Sequence, residues 1–344
     1  MTTKRALLRR GCVPGVAAVA VLLALTPRAD AQATDVRVHD PVMIEADGGY
    51  YLFETGRGIS VWRSADMASW ERLDPVFDEA PVWATDVNPR FRNHIWAPDI
   101  SYHDGTYYLY YSVSSFGSNN SAIGVATNAT LDPADPAFEW VDHGPVVRSV
   151  EGRDDWNAID PNLAVDDEGR PWLTFGSYWS GIKLTRLAPD RLALHDPEEW
   201  HTVAARHRYW KLPEDYAGDT INSDIEAPFI FRKDGFYYLF ASWDRCCAGE
   251  NSTYKVVVGR SRDIEGPYLD RANHDMRHGG GTLVVKGDSA WPGVGHPAAY
   301  TFDGTDYLVF HGYDASDQGR SKLWVREIEW DDGWPQVELE GGTP

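Results

Sequence analysis

One pattern is written five times along this chain, and it restricts the fold more than any other feature. Asp40-Pro41 leads through an apolar run to Asp47-Gly48 and then YYLF at 50–53. Ala97-Pro98 leads to Asp104-Gly105 and YYLY, Asp160-Pro161 to Glu168-Gly169 and PWLT, Ala227-Pro228 to Asp234-Gly235 and YYLF, and His296-Pro297 to Asp303-Gly304 and DYLVF. The proline stands six residues before the turn acid in four copies and seven in the third. An acid–glycine pair between two runs of aromatic and β-branched residues reads as a β-hairpin.

The repeat prolines are spaced 57, 63, 67 and 69 residues apart, which is room for four short strands and their turns. That is the unit of a propeller blade, so the expected fold is an all-β, five-bladed β-propeller in a single domain over residues 32–344. Later strands are marked by 59–62, 122–126, 182–184, 254–258 and 323–326, and no long helix is expected. The competing architecture is a β-sandwich with recurrent hairpins, which has no reason to keep the proline-to-turn distance so constant.

Residues 1–31 stand apart. Lys4, Arg5, Arg9 and Arg10 precede an apolar run from Val13 to Leu25, and Ala29-Asp30-Ala31 offers a small-residue cleavage site, the pattern of a cleaved export signal. The run is short for a membrane anchor. Arg9-Arg10 also fits a loose twin-arginine signal. A secreted or periplasmic location follows. Removing residues 1–31 takes away five basic residues and one acid, so the formal net charge of −20 becomes −24. Such a surface disfavours nucleic acid and anionic membranes and suits a soluble protein, expected to be a monomer, acting on a neutral partner. With Cys12 in the leader, only the neighbours Cys246 and Cys247 remain, which is no disulfide framework and no zinc site; a local structural role is expected, oxidised or not.

In a propeller the first strand of each blade lines the central channel, so residues at equivalent repeat positions converge. Immediately before the repeat proline stand Asp40, Ala97, Asp160, Ala227 and His296; one position earlier stand His39, Trp96, Ile159, Glu226 and Gly295. Three carboxylates and a histidine at one channel mouth raise each other's pKa values and are costly unless used. Glycoside hydrolysis uses such a set, with one carboxyl protonated to serve the leaving oxygen and another ionised to activate water. Glu226, set among apolar neighbours, is the better acid, Asp40 a candidate base, and Asp160 a charge that holds the acid's pKa up. Taken singly, Asp40 and Asp160 also read as turn caps and His296 as a satisfied polar residue.

HDPVMI at 39–44, HIWAPDI at 94–100, AIDPNL at 158–163, DIEAPFIF at 224–231, RCCAGENSTYKVVVGRS at 245–261 and GHPAAY at 295–300 together resemble glycoside hydrolase family 43, nearest to its endo-1,5-α-L-arabinanases. The resemblance implies a five-bladed propeller and a secreted hydrolase of arabinan and arabino-oligosaccharides that inverts configuration. Asp40 would be its general base, Glu226 its general acid and Asp160 the residue that tunes and orients the acid. It also implies a calcium ion near the axis, held through His296 and waters. Trp96 and Phe116 are expected to stack on furanose rings, and Asn162 and Ser177 to bind sugar hydroxyls. Two rivals remain: an exo-acting α-L-arabinofuranosidase or β-xylosidase on the same scaffold, and a non-catalytic sugar-binding propeller. The latter is disfavoured because lectin propellers repeat their binding residues, whereas here the channel-end residues differ from blade to blade.

Overall fold

Each acid–glycine pair closes a tight hairpin, and the backbone shows why those residues stand there. Asp47 and Gly48, Asp104 and Gly105, Asp234 and Gly235, and Asp303 and Gly304 all take positive φ, between 47° and 81°. Two successive left-handed residues make the turn whose twist matches paired strands, and glycine and aspartate bear it at least cost. In the third copy only Gly169 is left-handed. The extra residue there widens the turn, and the Asp166 carboxylate ties it by accepting the Glu168 and Arg170 amides, each at 2.9 Å.

The computed structural model describes residues 1–2, 35–206 and 224–339. The chain divides into two units, Met1–Asp30 and Ala31–Pro344, and every described strand lies in the second. The leader expected over 1–31 lies, but for its first two residues, outside the described residues.

The second unit is a five-bladed β-propeller. Blade I comprises β1 (Val42–Ala46), β2 (Gly49–Glu54), β4 (Ser60–Ser64) and β5 (Glu71–Leu73). Blade II comprises β6 (His94–His103), β7 (Thr106–Val113), β8 (Ser121–Asn128) and β9 (Val141–Ser149), with the two-residue β3 (Gly56–Arg57) pairing onto β6. Blade III is β10 (Asn162–Val165), β11 (Pro171–Phe175), β12 (Ile182–Arg186) and β13 (Trp200–Ala204). Blade IV is β14 (Ile225–Lys233), β15 (Phe236–Trp243), β16 (Lys255–Ser261) and β17 (Thr282–Lys286). Blade V is β18 (Val294–Phe302), β19 (Thr305–Asp314) and β20 (Arg320–Glu327), followed by the hairpin of β21 (Glu329–Asp331) and β22 (Trp334–Gln336). Within each blade the strands run antiparallel in sequence order. The expected later-strand markers fall in or beside β4, β8, β12, β16 and β20, and the longest α-helix among the described residues has four residues.

The aromatic second strands form the packing layer. Tyr51, Phe53, Tyr110, Tyr111, Phe175, Tyr238, Phe240 and Phe310 are all buried. Each such side chain contributes about 1.5–3 kcal/mol by leaving water. The ring closes between blades V and I: Leu323 N–H in β20 donates to Val36 C=O at 3.0 Å, and Val38 packs with Met43 and Leu52 of blade I against Val309, Leu323 and Val325 of blade V.

Candidate active site

The five residues before the repeat prolines share one unusual conformation. Asp40, Ala97, Asp160, Ala227 and His296 have φ of 54°, 41°, 58°, 53° and 59°, where residues other than glycine are uncommon. In blades II, IV and V the pairing register slips across this step, between Trp96 and Asp99, Glu226 and Phe229, and Gly295 and Ala298. Such bulges re-aim side chains, and beside them Trp96, Glu226 and His296 border one groove.

A ring of hydrogen bonds between blades satisfies the amides this exposes. Asp40 N–H donates to His311 Nδ1 (3.1 Å), Ala97 N–H to Thr55 Oγ1 (2.8 Å), Asp160 N–H to Ser112 Oγ (3.1 Å) and His296 N–H to Ser242 Oγ (2.9 Å). Every acceptor lies on the preceding blade, seven residues after its turn glycine. Blade III has Gly176 there, at φ +132° and with Gly181 O only 2.8 Å from where a Cβ would stand. With no side chain to offer, the blade meets Ala227 N–H through Asp160 Oδ2 instead, at 3.2 Å.

Of the three carboxylates Asp40, Asp160 and Glu226, Asp40 has the closest set of imidazole partners. Its Oδ1 lies 2.9 Å from His39 Nδ1 and 3.0 Å from His296 Nδ1, and its Oδ2 accepts from Thr55 Oγ1 at 2.5 Å. Burial alone raises its pKa, but the attraction of His296 and His39 outweighs burial and holds Asp40 well below the usual carboxylate range. His296, which burial alone would lower, is raised to about 9 by Asp40. Glu226 goes the other way: burial raises it, against the hydrogen bond that Ser177 Oγ donates to its Oε2 at 2.8 Å. Asp160 is pushed well above the usual range by burial, opposed by His296 and reinforced by Glu226 and Asp40. Asp160, expected as the charge that holds the acid's pKa up, is thus itself raised, and burial is the first cause of the rise at Glu226.

The groove around these groups has a volume of about 1000 Å³ and is lined from all five blades. Asp40, Trp96, Phe116, Asp160, Ser177, Glu226 and His296 all border it. The Trp96 and Phe116 rings lie 5.0 Å apart, and Phe116 is 81% exposed. Two expectations change. Asn162 is not at the groove: it is buried, its Nδ2 donating to Asp99 Oδ1 (3.1 Å) and its Oδ1 accepting from Ile230 N–H (2.9 Å), so it ties blades II, III and IV together. Ser177 is at the groove, but its hydroxyl serves Glu226.

The sequence reading missed Thr55, His311 and Tyr313. The first two were visible as the seventh residue after a turn glycine. Tyr313 was not; its hydroxyl lies 3.1 Å from His39 Nε2 and 3.2 Å from His311 Nε2, and it accepts from Cys247 N–H at 2.9 Å. For a metal, His296 has Nδ1 committed to Asp40, leaving Nε2. The described clusters of metal-ligating groups, His39 with Cys246 and His311, and Glu199 with His201 and Glu265, do not include it. A hard ion at His296 would therefore take one protein nitrogen and otherwise water.

The sequence profile of Glycosyl hydrolases family 43 matches residues 34–335. The chain belongs to that family. It is 50% identical over 307 residues to the extracellular exo-α-(1→5)-L-arabinofuranosidase of Cellvibrio japonicus, covering 89% of this chain and 88% of the relative. It is 40% identical over 328 residues to the extracellular endo-α-(1→5)-L-arabinanase 1 of Bacillus subtilis, covering 93% and 95%. The solved structure of Cellvibrio cellulosa α-L-arabinanase complexed with arabinohexaose superposes with a TM-score of 0.82 at 50% identity, covering 88% of this chain and 96% of that one.

Proposed function

We propose that this family 43 member is an extracellular glycoside hydrolase that cleaves α-1,5-arabinofuranosidic linkages within arabinan. One observation carries the reading. Asp40 and Glu226 border one groove, and their surroundings push their pKa values apart, Asp40 down and Glu226 up. That divergence is what separates a base from an acid in a pair of like groups.

Glu226 hands its proton to the leaving glycosidic oxygen while Asp40 takes one from the attacking water, which inverts the anomeric centre in a single displacement. Ser177 orients Glu226, His39 and Thr55 orient Asp40, and Asp160 fixes the Ala227 backbone beside the acid. Trp96 and Phe116 offer faces for furanose rings. Calcium at His296, completed by water, would supply positive charge near the carboxyl groups of Asp40, Asp160 and Glu226. The relatives named as extracellular support the same location for this chain.

The Bacillus relative's name supports endo action. An exo reading is favoured by the Cellvibrio relative's name. Linear arabinan separates them: endo cleavage drops viscosity early, out of proportion to reducing ends, and gives mixed oligomers. Loss of viscosity only in step with end-group release would make the enzyme exo-acting. Glu226→Gln and Asp40→Asn should each cut kcat/KM by about 10²–10⁴-fold. Binding of arabinan by wild type without release of reducing ends would leave only the sugar-binding propeller.

A further inference from the structure

Cys246 and Cys247 are joined to each other by a disulfide in the loop between β15 and β16. The loop is pinned at its base, where Arg245 N–H donates to Thr253 Oγ1 (3.2 Å) and Arg245 C=O accepts from Thr253 N–H (3.1 Å) and Ser252 Oγ (2.6 Å). Its tip enters the groove that holds Asp40 and Glu226, with Cys247 exposed and Cys246 half-buried. The two sulfurs lie 3.9 Å and 3.7 Å from His39 Nε2, and the other nitrogen of that ring is 2.9 Å from Asp40 Oδ1. One imidazole therefore separates the disulfide from the base.

Any sugar unit that brings its anomeric carbon within one water of Asp40 lies beside this surface, itself or through its neighbour in the chain. The surface is apolar, polarisable and covalently fixed, so it offers contact to the C–H face of a furanose with no side-chain freedom to lose on binding. The alternative is that the pair merely braces Tyr313. The Cys247 amide makes the shorter contact with that hydroxyl, at 2.9 Å, against 3.3 Å for Cys246 Sγ. Bracing through an amide needs no sulfur at Cys247, which nevertheless faces the groove.

We propose that the Cys246–Cys247 disulfide is a substrate-contact platform, packing against an arabinofuranose unit beside the base and setting affinity for the chain. This rests on the arabinan-hydrolase reading. The disulfide makes its contact equally in ground and transition states, so its loss appears in KM.

Steady-state kinetics on linear arabinan test it, with wild-type enzyme before and after reduction by a phosphine and alkylation verified by mass, and with the Cys246→Ser/Cys247→Ser double variant. Failure of untreated wild type to release reducing ends defeats the functional reading before the disulfide is tested. Given wild-type turnover, KM should rise roughly fivefold to tenfold on reduction and in the double variant, with kcat within about twofold. Reduction should leave the double variant unaffected. An unchanged KM, or a fall confined to kcat, overturns the proposal, the latter making the pair a brace for Tyr313. Should the double variant not fold, reduction of the native enzyme decides alone.

Discussion

Ser177 and Glu226 meet twice across the boundary between blades III and IV. Their backbones pair as an isolated antiparallel bridge, and Ser177 Oγ donates to Glu226 Oε2 at 2.8 Å. The backbone contact sets where the acid stands, and the hydroxyl sets part of its acidity. Burial lifts the pKa of Glu226, and the serine, by bonding to the ionised form, holds it back.

Ser177→Ala should therefore extend activity to higher pH. An acid catalyst works while protonated, so the alkaline limb of kcat/KM follows Glu226. Losing one hydrogen bond of about 1 kcal/mol moves that limb upward by roughly 0.7 of a pH unit. A limb that stays put or moves down would show that Ser177 does not act on the acid.

The calcium proposed at His296 should bind more tightly as pH rises. His296 is raised to about 9, because Asp40 at 3.0 Å outweighs the effect of burial. A protonated imidazole donates no lone pair, so an ion binding there must displace a proton. Titration of the metal-stripped protein at pH 6, 7 and 8 should show tightening affinity and proton release. Affinity independent of pH over that range would place the ion away from His296.

The fold was legible because its repeat rests on local chemistry: an acid–glycine pair that tolerates left-handed backbone, then a strand of large apolar residues. The convergence of Asp40, Asp160, Glu226 and His296 on one groove followed from position in that repeat. What each does there was less legible, because it depends on a neighbouring blade. Nothing near Asn162 in sequence shows that Asp99 and Ile230 will take up its amide, nor that Gly176 leaves Ala227 N–H to Asp160. Tyr313 was hidden for the same reason, since its partners His39 and Cys247 come from two other blades.

Asn162→Ala should weaken the fold and leave substrate binding alone. It orphans the buried Ile230 amide and removes a partner of Asp99, a loss of about 2 kcal/mol or more. Thermal unfolding should report this while KM for arabinan stays at the wild-type value; a raised KM without lost stability would return Asn162 to the sugar. Asp99 itself is raised to about 7 by burial, so the stability of its protonated form is fully present below the ordinary carboxyl value and lost as pH rises through about 7. The midpoint of unfolding should fall across that window, and fall less in Asp99→Asn.

Thr55→Val and Ser112→Ala should cost similar stability but differ in catalysis. Each removes an acceptor from the inter-blade ring, leaving the Ala97 or the Asp160 amide unpaired at about 1–3 kcal/mol. Only Thr55 also donates to Asp40 Oδ2. Losing a bond to the ionised base raises its pKa, so the acid limb of kcat/KM should move to higher pH in Thr55→Val and stay in place in Ser112→Ala. Identical acid limbs in the two variants would mean that Thr55 only holds the blades together.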